Sequence, residues 1–148
     1  MSIDQQLQQT ADRLAIRELI DQYAFCADTR DAKGQMALFT EDTKFVVFMD
    51  AKTPEPTQVI SKRSDLFPVF DNLNIYRATM HFNGQNKVQL NGETATGSTY
   101  CIAHHQTIEA GIQKLMVAYI RYEDKFVKQY GKWLFEERRL LVDWIENR

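Results

Sequence analysis

From Tyr76 onward the chain is a succession of β-rich runs cut only by short turns, and this restricts the fold more than any other feature. Tyr76 to Phe82 and Lys87 to Leu90 read as strands separated by Asn83-Gly84. Asn91-Gly92 then leads into Thr94 to Ile108, and an Asn-Gly pair between such runs is the strongest short hairpin signal. A Glu109-Ala110-Gly111 turn, Gln113 to Val127, a Tyr130-Gly131 turn and Trp133 to Ile145 complete the series. Strands of this length carry a right-handed twist that keeps a sheet from staying flat, so the sheet must curl.

The first third has a different period. Leu7, Ala11, Leu14, Ile16, Leu19, Ile20, Tyr23, Ala24 and Ala27 recur at three- and four-residue steps, one face of an amphipathic helix. Asp31 is a good N-cap for a second, shorter helix that carries Met36 and Phe39 inward. Thr43 to Met49 reads as a strand, Lys52 to Thr57 as a proline-held loop, and Ser64 to Asp71 as a short helix. Helices first and antiparallel strands afterwards predict an α+β fold: a cone-shaped, curved antiparallel or mixed sheet with the N-terminal helices on its concave face. Such a cone holds a hollow.

Composition narrows what the hollow serves. The 148 residues have the length of one domain, and 18 Lys and Arg against 20 Asp and Glu give a net charge of −2, a balance that argues against nucleic-acid binding. No apolar run approaches the roughly 20 residues needed to cross a bilayer, and the first residues lack the pattern of a secretory signal. Cys26 and Cys101 form neither a disulfide framework nor a zinc site. A soluble, cytoplasmic, single-domain protein spanning residues 1–148 is expected, without nucleic-acid or membrane partners.

Candidate site residues follow from alternation. One face of Thr94 to His105 carries Ala95, Gly97, Thr99, Cys101, Ala103 and His105; the other carries Thr94, Thr96, Ser98, Tyr100, Ile102 and His104. The row of small residues fits either close approach of the first helix or a ligand cavity with His105 at its wall. Asp28 falls on the apolar face of the first helix, where a carboxylate needs a partner or an exposed helix end. Gly-rich phosphate loops and nucleophile elbows are absent, and no histidine pair has metal-ligand spacing, so neither cofactor nor metal is expected. Glu136-Glu137-Arg138-Arg139 reads as a solvated or subunit-facing charge row.

The segments Tyr23 to Asp31, Phe39 to Asp42, Thr79 to Gly84, Leu90 to Ala95 and Gly131 to Phe135 together resemble the SnoaL-like domains of the nuclear transport factor 2-like, or cystatin-like, superfamily. Within it the site pattern is similar to scytalone dehydratase, which implies catalytic roles for Asp28, His81 and His105. The positions matching that enzyme's water-holding tyrosines are Ala27 and Val47 here, and its polar contacts fall near Ile120 and Tyr122. The expected chemistry is cofactor-free proton transfer of the dehydratase, lyase or isomerase type on a small cyclic or aromatic oxygenated compound. Asp28 would orient His81, His105 would assist, and Tyr23, Tyr100 or Tyr122 would supply a hydroxyl beside an apolar wall of Phe39, Phe45 and Met116. The alternative is a non-catalytic binding or scaffolding module whose last two strands, with Tyr119, Tyr122, Trp133, Phe135 and Trp144, form an oligomer surface. A homo-oligomer, dimer or trimer, fits either reading.

Overall fold

The computed structural model describes residues 1–148. Helix α1 spans Ile3–Asp28 and begins at a reciprocal cap, in which Ser2 Oγ accepts from the Gln5 backbone while the Gln5 side chain accepts from the Ser2 backbone. Arg30, in left-handed backbone at φ 61°, breaks the helix. The Asp31 carboxylate then accepts from the Gly34 amide and starts α2, Ala32–Met36. Strands β1 (Phe39–Phe48) and β2 (Gln58–Ile60) follow, then a short helix α3 (Phe67–Asp71) flanked by 3-10 turns at Arg63–Asp65 and Asn72–Ile75. Pro68 is accommodated because it lies in the first turn of α3, where its missing N–H has no partner to lose.

Strands β3 (Ala78–Asn91), β4 (Thr94–Glu109), β5 (Ile112–Gln129) and β6 (Lys132–Asn147) form an antiparallel run. The full six-stranded sheet has the order β2-β1-β6-β5-β4-β3, with β1 parallel to β6. The hairpin turns close tightly because Ala110-Gly111 and Tyr130-Gly131 all have positive φ, which matches strand twist. The sheet is mixed, curved and unclosed, with α1 packed on it, as the sequence pattern predicts for an α+β cone. No helix is long and apolar enough to cross a membrane.

Several local expectations change. Asn83-Gly84 does not separate two strands; β3 runs through it with a register shift between Asn83 and Asn86, where the Arg17 guanidinium donates to the Gly84 carbonyl at 3.1 Å. Phe39 opens β1 instead of riding on α2. Leu7 and Leu14 are exposed, because the first turns of α1 extend beyond the apolar core, and Asp12 faces the sheet there instead. The charge row is also broken: Arg138 is fully buried. In the β5–β6 pairing, register shifts between Lys125 and Phe126, where Glu136 is skipped, so Phe135 and Arg138 both point inward.

The core lies between α1 and the concave sheet face. Tyr23 sits edge-on to Phe39, Phe70, Tyr122 and Phe135 at ring-centre distances of 5.7–6.2 Å. At the other end of α1, the buried Asp12 carboxylate accepts from Trp133 Nε1 at 3.0 Å, Lys128 Nζ at 3.0 Å and Gln8 Nε2 at 3.2 Å. Burial raises its pKa, but these three donors more than reverse the effect and hold it below the ordinary carboxylate range. Asp12→Ala strands the Trp133 and Lys128 donors and is expected to cost about 2 kcal/mol, read as a lowered urea midpoint at unchanged slope. A loss below about 0.5 kcal/mol would show that this latch does not hold the helix.

Candidate active site

The last residue of α1 and the inward face of β3 meet at Asp28 and His81. Asp28 Oδ1 lies 2.7 Å from His81 Nδ1, and Oδ2 accepts from the His81 backbone N–H at 2.9 Å. Thr79, two residues earlier on the same strand face, donates its hydroxyl to Asp28 Oδ1 at 3.0 Å. Arg30 in turn donates to the Thr79 hydroxyl at 2.8 Å and to the Ala27 carbonyl at 2.7 Å, tying the helix end to the strand. Burial would raise the Asp28 carboxyl, but the His81 ring, the His81 amide and Thr79 together hold it below its usual range. An ionised carboxylate only accepts hydrogen bonds, so Nδ1 of His81 carries the proton in this contact.

His105 approaches from β4. Its ring centre is 5.8 Å from that of His81 and 4.8 Å from that of Tyr76. Its Nδ1 is 3.3 Å from the Met116 carbonyl, which can only accept, so Nδ1 again carries the proton. Burial, reinforced by the neighbouring His81, pushes His105 down to about 4. At neutral pH it is an uncharged imidazole whose free nitrogen accepts. His104 points to the other side of β4, as alternation requires.

Both His81 and His105 line a cavity of about 240 Å³ bordered by α2, α3 and the following 3-10 turn. Tyr23, Phe45, Met116 and Tyr122 line it as well. Phe39 does not: it packs one layer deeper, 5.0 Å from the Phe135 ring centre. Tyr100 lies on the opposite sheet face and is 46% exposed, because it alternates out of phase with Cys101 and Ala103. It borders an outer hollow with Phe82, Ile102, Tyr119 and Trp144 instead. The row of small residues is filled by packing up to Ala103: a Cβ on Gly97 would lie 3.1 Å from the Phe126 ring, and of that row only His105 reaches the cavity. Three tyrosines line the wall, Tyr23, Tyr76 and Tyr122, and burial keeps two of them protonated: Tyr23 is raised to about 12 and Tyr122 well above its ordinary value. Burial likewise raises Cys101 to about 11, so its thiol is no nucleophile at neutral pH.

Asp28 itself borders a second, outer hollow between α1 and β3, about 220 Å³ in volume, with Asp21, Phe25 and Asn83. His81 thus stands between the inner cavity and this outer groove. Three contributors lie outside the sequence-based set. Thr79 is signalled by its two-residue spacing from His81, whereas nothing local marks Tyr76. Arg138, in contact with Tyr122 at 3.5 Å and Tyr23 at 4.2 Å from their ring centres, is hidden by the β6 register shift. No three His, Cys, Asp or Glu side chains cluster as a metal ion would require.

Comparison with known proteins agrees with this architecture. No curated protein matches the chain. Among solved structures, a candidate scytalone dehydratase from Novosphingobium aromaticivorans superposes with a TM-score of 0.81 at 20% identity, covering 95% of this chain and 89% of that one. A hexachlorocyclohexane dehydrochlorinase, LinA-type3 from Novosphingobium barchaimii, gives 0.81 at 13% identity, with 97% and 94% covered. A nuclear transport factor 2-like protein with a cystatin-like fold, also from Novosphingobium aromaticivorans, gives 0.73 at 22% identity, with 95% and 87% covered. At these identities the likeness concerns the fold. The SnoaL-like domain family matches residues 8–139, and the chain belongs to that family.

Proposed function

We propose that the protein is a cytoplasmic, cofactor-independent acid/base enzyme of the lyase or isomerase type, acting on a small cyclic or aromatic oxygenated compound. The observation that carries this reading is the 2.7 Å contact between Asp28 and the His81 ring at the wall of an apolar cavity. The dehydratase and dehydrochlorinase among the structural relatives make an elimination compatible with the fold. Fold alone does not assign chemistry, so the argument rests on the side chains.

In this mechanism Nε2 of neutral His81 removes a proton from carbon next to a carbonyl. Asp28 fixes the tautomer and stabilises the imidazolium that results. The same Nε2–H then protonates a leaving hydroxyl, so that water departs as the double bond forms, or returns the proton to another carbon in an isomerisation. His105 is poorly suited to donate, since its Nδ1–H is aimed at Met116 and its pKa is low. It suits holding a substrate O–H that donates to its free nitrogen. Tyr23 and Tyr122 remain donors for a substrate oxygen.

The non-catalytic alternative draws on the outer sheet face. There Tyr119 and Trp144 stack at 4.2 Å, beside exposed Met80, Phe82, Tyr100 and Ile102. Tyr122, Trp133 and Phe135, expected on that surface, are instead buried on the concave side, because the two-residue period and the β6 shift turn them inward. The remaining apolar patch supports a homo-oligomer, dimer or trimer, under either reading.

Asp28→Asn and His81→Ala are each expected to lower turnover by about 10²- to 10⁴-fold in a screen of small cyclic hydroxy-ketones. Unchanged turnover in both variants would remove the dyad from the mechanism. The second expectation concerns pH. Because the folded pKa of His105 lies below its unfolded value of about 6.5, its contribution to stability is complete above about 6.5 and is lost as pH falls towards about 4. NMR titration should show His105 uncharged at pH values near 6, and His105→Gln should flatten the unfolding free energy across that window; titration near 6.5 would overturn the assignment. Light scattering should return a dimer or trimer that Trp144→Arg dissociates, and a wild-type monomer would exclude the assembly.

A further inference from the structure

The cavity wall includes a side chain with a fully buried oxygen that the chain leaves unpaired. Gln35, in α2, is 2% exposed and forms part of the cavity wall, and its Oε1 accepts no hydrogen bond from the chain. The main chain around it is settled. Its N–H donates to the Asp31 carbonyl at 2.9 Å, and its carbonyl accepts from the Leu38 amide at 3.2 Å. The side-chain amide therefore does not serve the helix. Its neighbours in the wall are largely apolar, including Phe45, Val47 and Phe70. The two histidines in the wall are differently placed: His81 is held by Asp28 and His105 by Met116. A buried, unpaired amide is destabilising in the empty protein, and a residue of this volume on an apolar wall has simpler replacements in Leu or Met. Its presence is explained if a ligand supplies the missing partner.

We propose that Gln35 is a specificity-determining residue that binds a hydroxyl group of the substrate. This rests on the acid/base reading of the cavity and narrows its substrate class. A hydroxyl is the group that both donates to Oε1 and accepts from Nε2, so it satisfies a primary amide in either orientation. The histidines stand on β3 and β4, whereas α2 leads into β1 at the other side of the sheet order. The substrate is therefore polar at two separate points: an oxygen function beside His81 and His105, and a hydroxyl at Gln35, with an apolar ring system between them. A cavity of about 240 Å³, below the range of about 300–1,000 Å³ typical of sites for drug-sized ligands, fits a body of one or two rings.

The test uses the whole chain, with indanone and its ring-hydroxylated isomers as probes and calorimetry as the readout. At least one hydroxylated isomer is expected to bind wild type about tenfold more tightly than indanone, and Gln35→Met should abolish that gain while leaving indanone itself bound. Gln35→Leu should behave alike, and both variants should melt at or above the wild-type temperature without ligand. The gain should survive in His81→Ala, which separates this inference from the dyad: turnover reports on His81, the hydroxyl increment on Gln35. A hydroxyl gain that persists in both Gln35 variants, no gain in wild type, or no saturable binding of any indanone would overturn the proposal. A fall in melting temperature with the increment unchanged would assign the amide a structural role instead.

Discussion

Arg138 has no contact with water, and the seating of α1 on the sheet depends on how its charge is accommodated. Its guanidinium lies 3.5 Å from the ring centre of Tyr122, 4.2 Å from Tyr23 and 4.5 Å from Phe135. Tyr23 comes from the helix and the other two rings from the sheet, so one cation joins both layers of the fold through their aromatic faces. Asp124, paired opposite on β5, places Oδ1 3.0 Å from Arg138 Nε, but the two groups are poorly aligned for hydrogen bonding. Burial pushes Asp124 up to about 7 despite the adjacent cation. The aromatic rings consequently carry much of the stabilisation that a well-aligned carboxylate would otherwise provide. The same Tyr23 and Tyr122 form part of the cavity wall, so the charge that joins the helix to the sheet also fixes two rings of that wall.

The dyad gains its precision from the same docking. Asp28 terminates a helix held at one end by Asp12 and in its second half by Tyr23, and it meets a strand residue 53 positions later in the chain. Two further bonds, from the His81 amide and from Thr79, orient the carboxylate, so its geometry does not depend on the imidazole alone. Arg30 links Thr79 back to the helix end. The outer groove beside Asp28 leaves that carboxylate partly exposed, whereas burial, with His81 beside it, pushes His105 down to about 4. The two histidines therefore have different partners despite rings 5.8 Å apart, a carboxylate for His81 and a main-chain carbonyl for His105.

Much of this was legible before the fold was seen. The helix-then-strand order, the Gly-containing turns and the two-residue period placed His105 inward and His104 outward, and the misplaced carboxylate on the helix marked Asp28. The same period puts Tyr100 outside, so naming it a pocket residue conflicts with the alternation of its own strand. The three-residue step from Met36 to Phe39 fits a helix face, and only the early start of β1 takes Phe39 out of the second helix. The Glu136 to Arg139 run misled for another reason. A one-residue shift reverses every side chain beyond it, and such a shift leaves no mark on composition.

The sequence by itself determined the long first helix, the order of helices before strands, the hairpin turns and the two faces of β4, because these follow from local periodicity and turn chemistry. Tertiary structure decided what these could not contain: that Asp28 touches His81, that the cavity lies beyond the small-residue row instead of above it, and that Arg138 is in the core while Gln35 is in the wall. Each of these depends on contacts between residues distant in the chain, on register shifts within β3 and between β5 and β6, and on the depth at which α1 settles. Periodicity fixes the face a residue occupies on its own element. Only packing fixes which other face it meets.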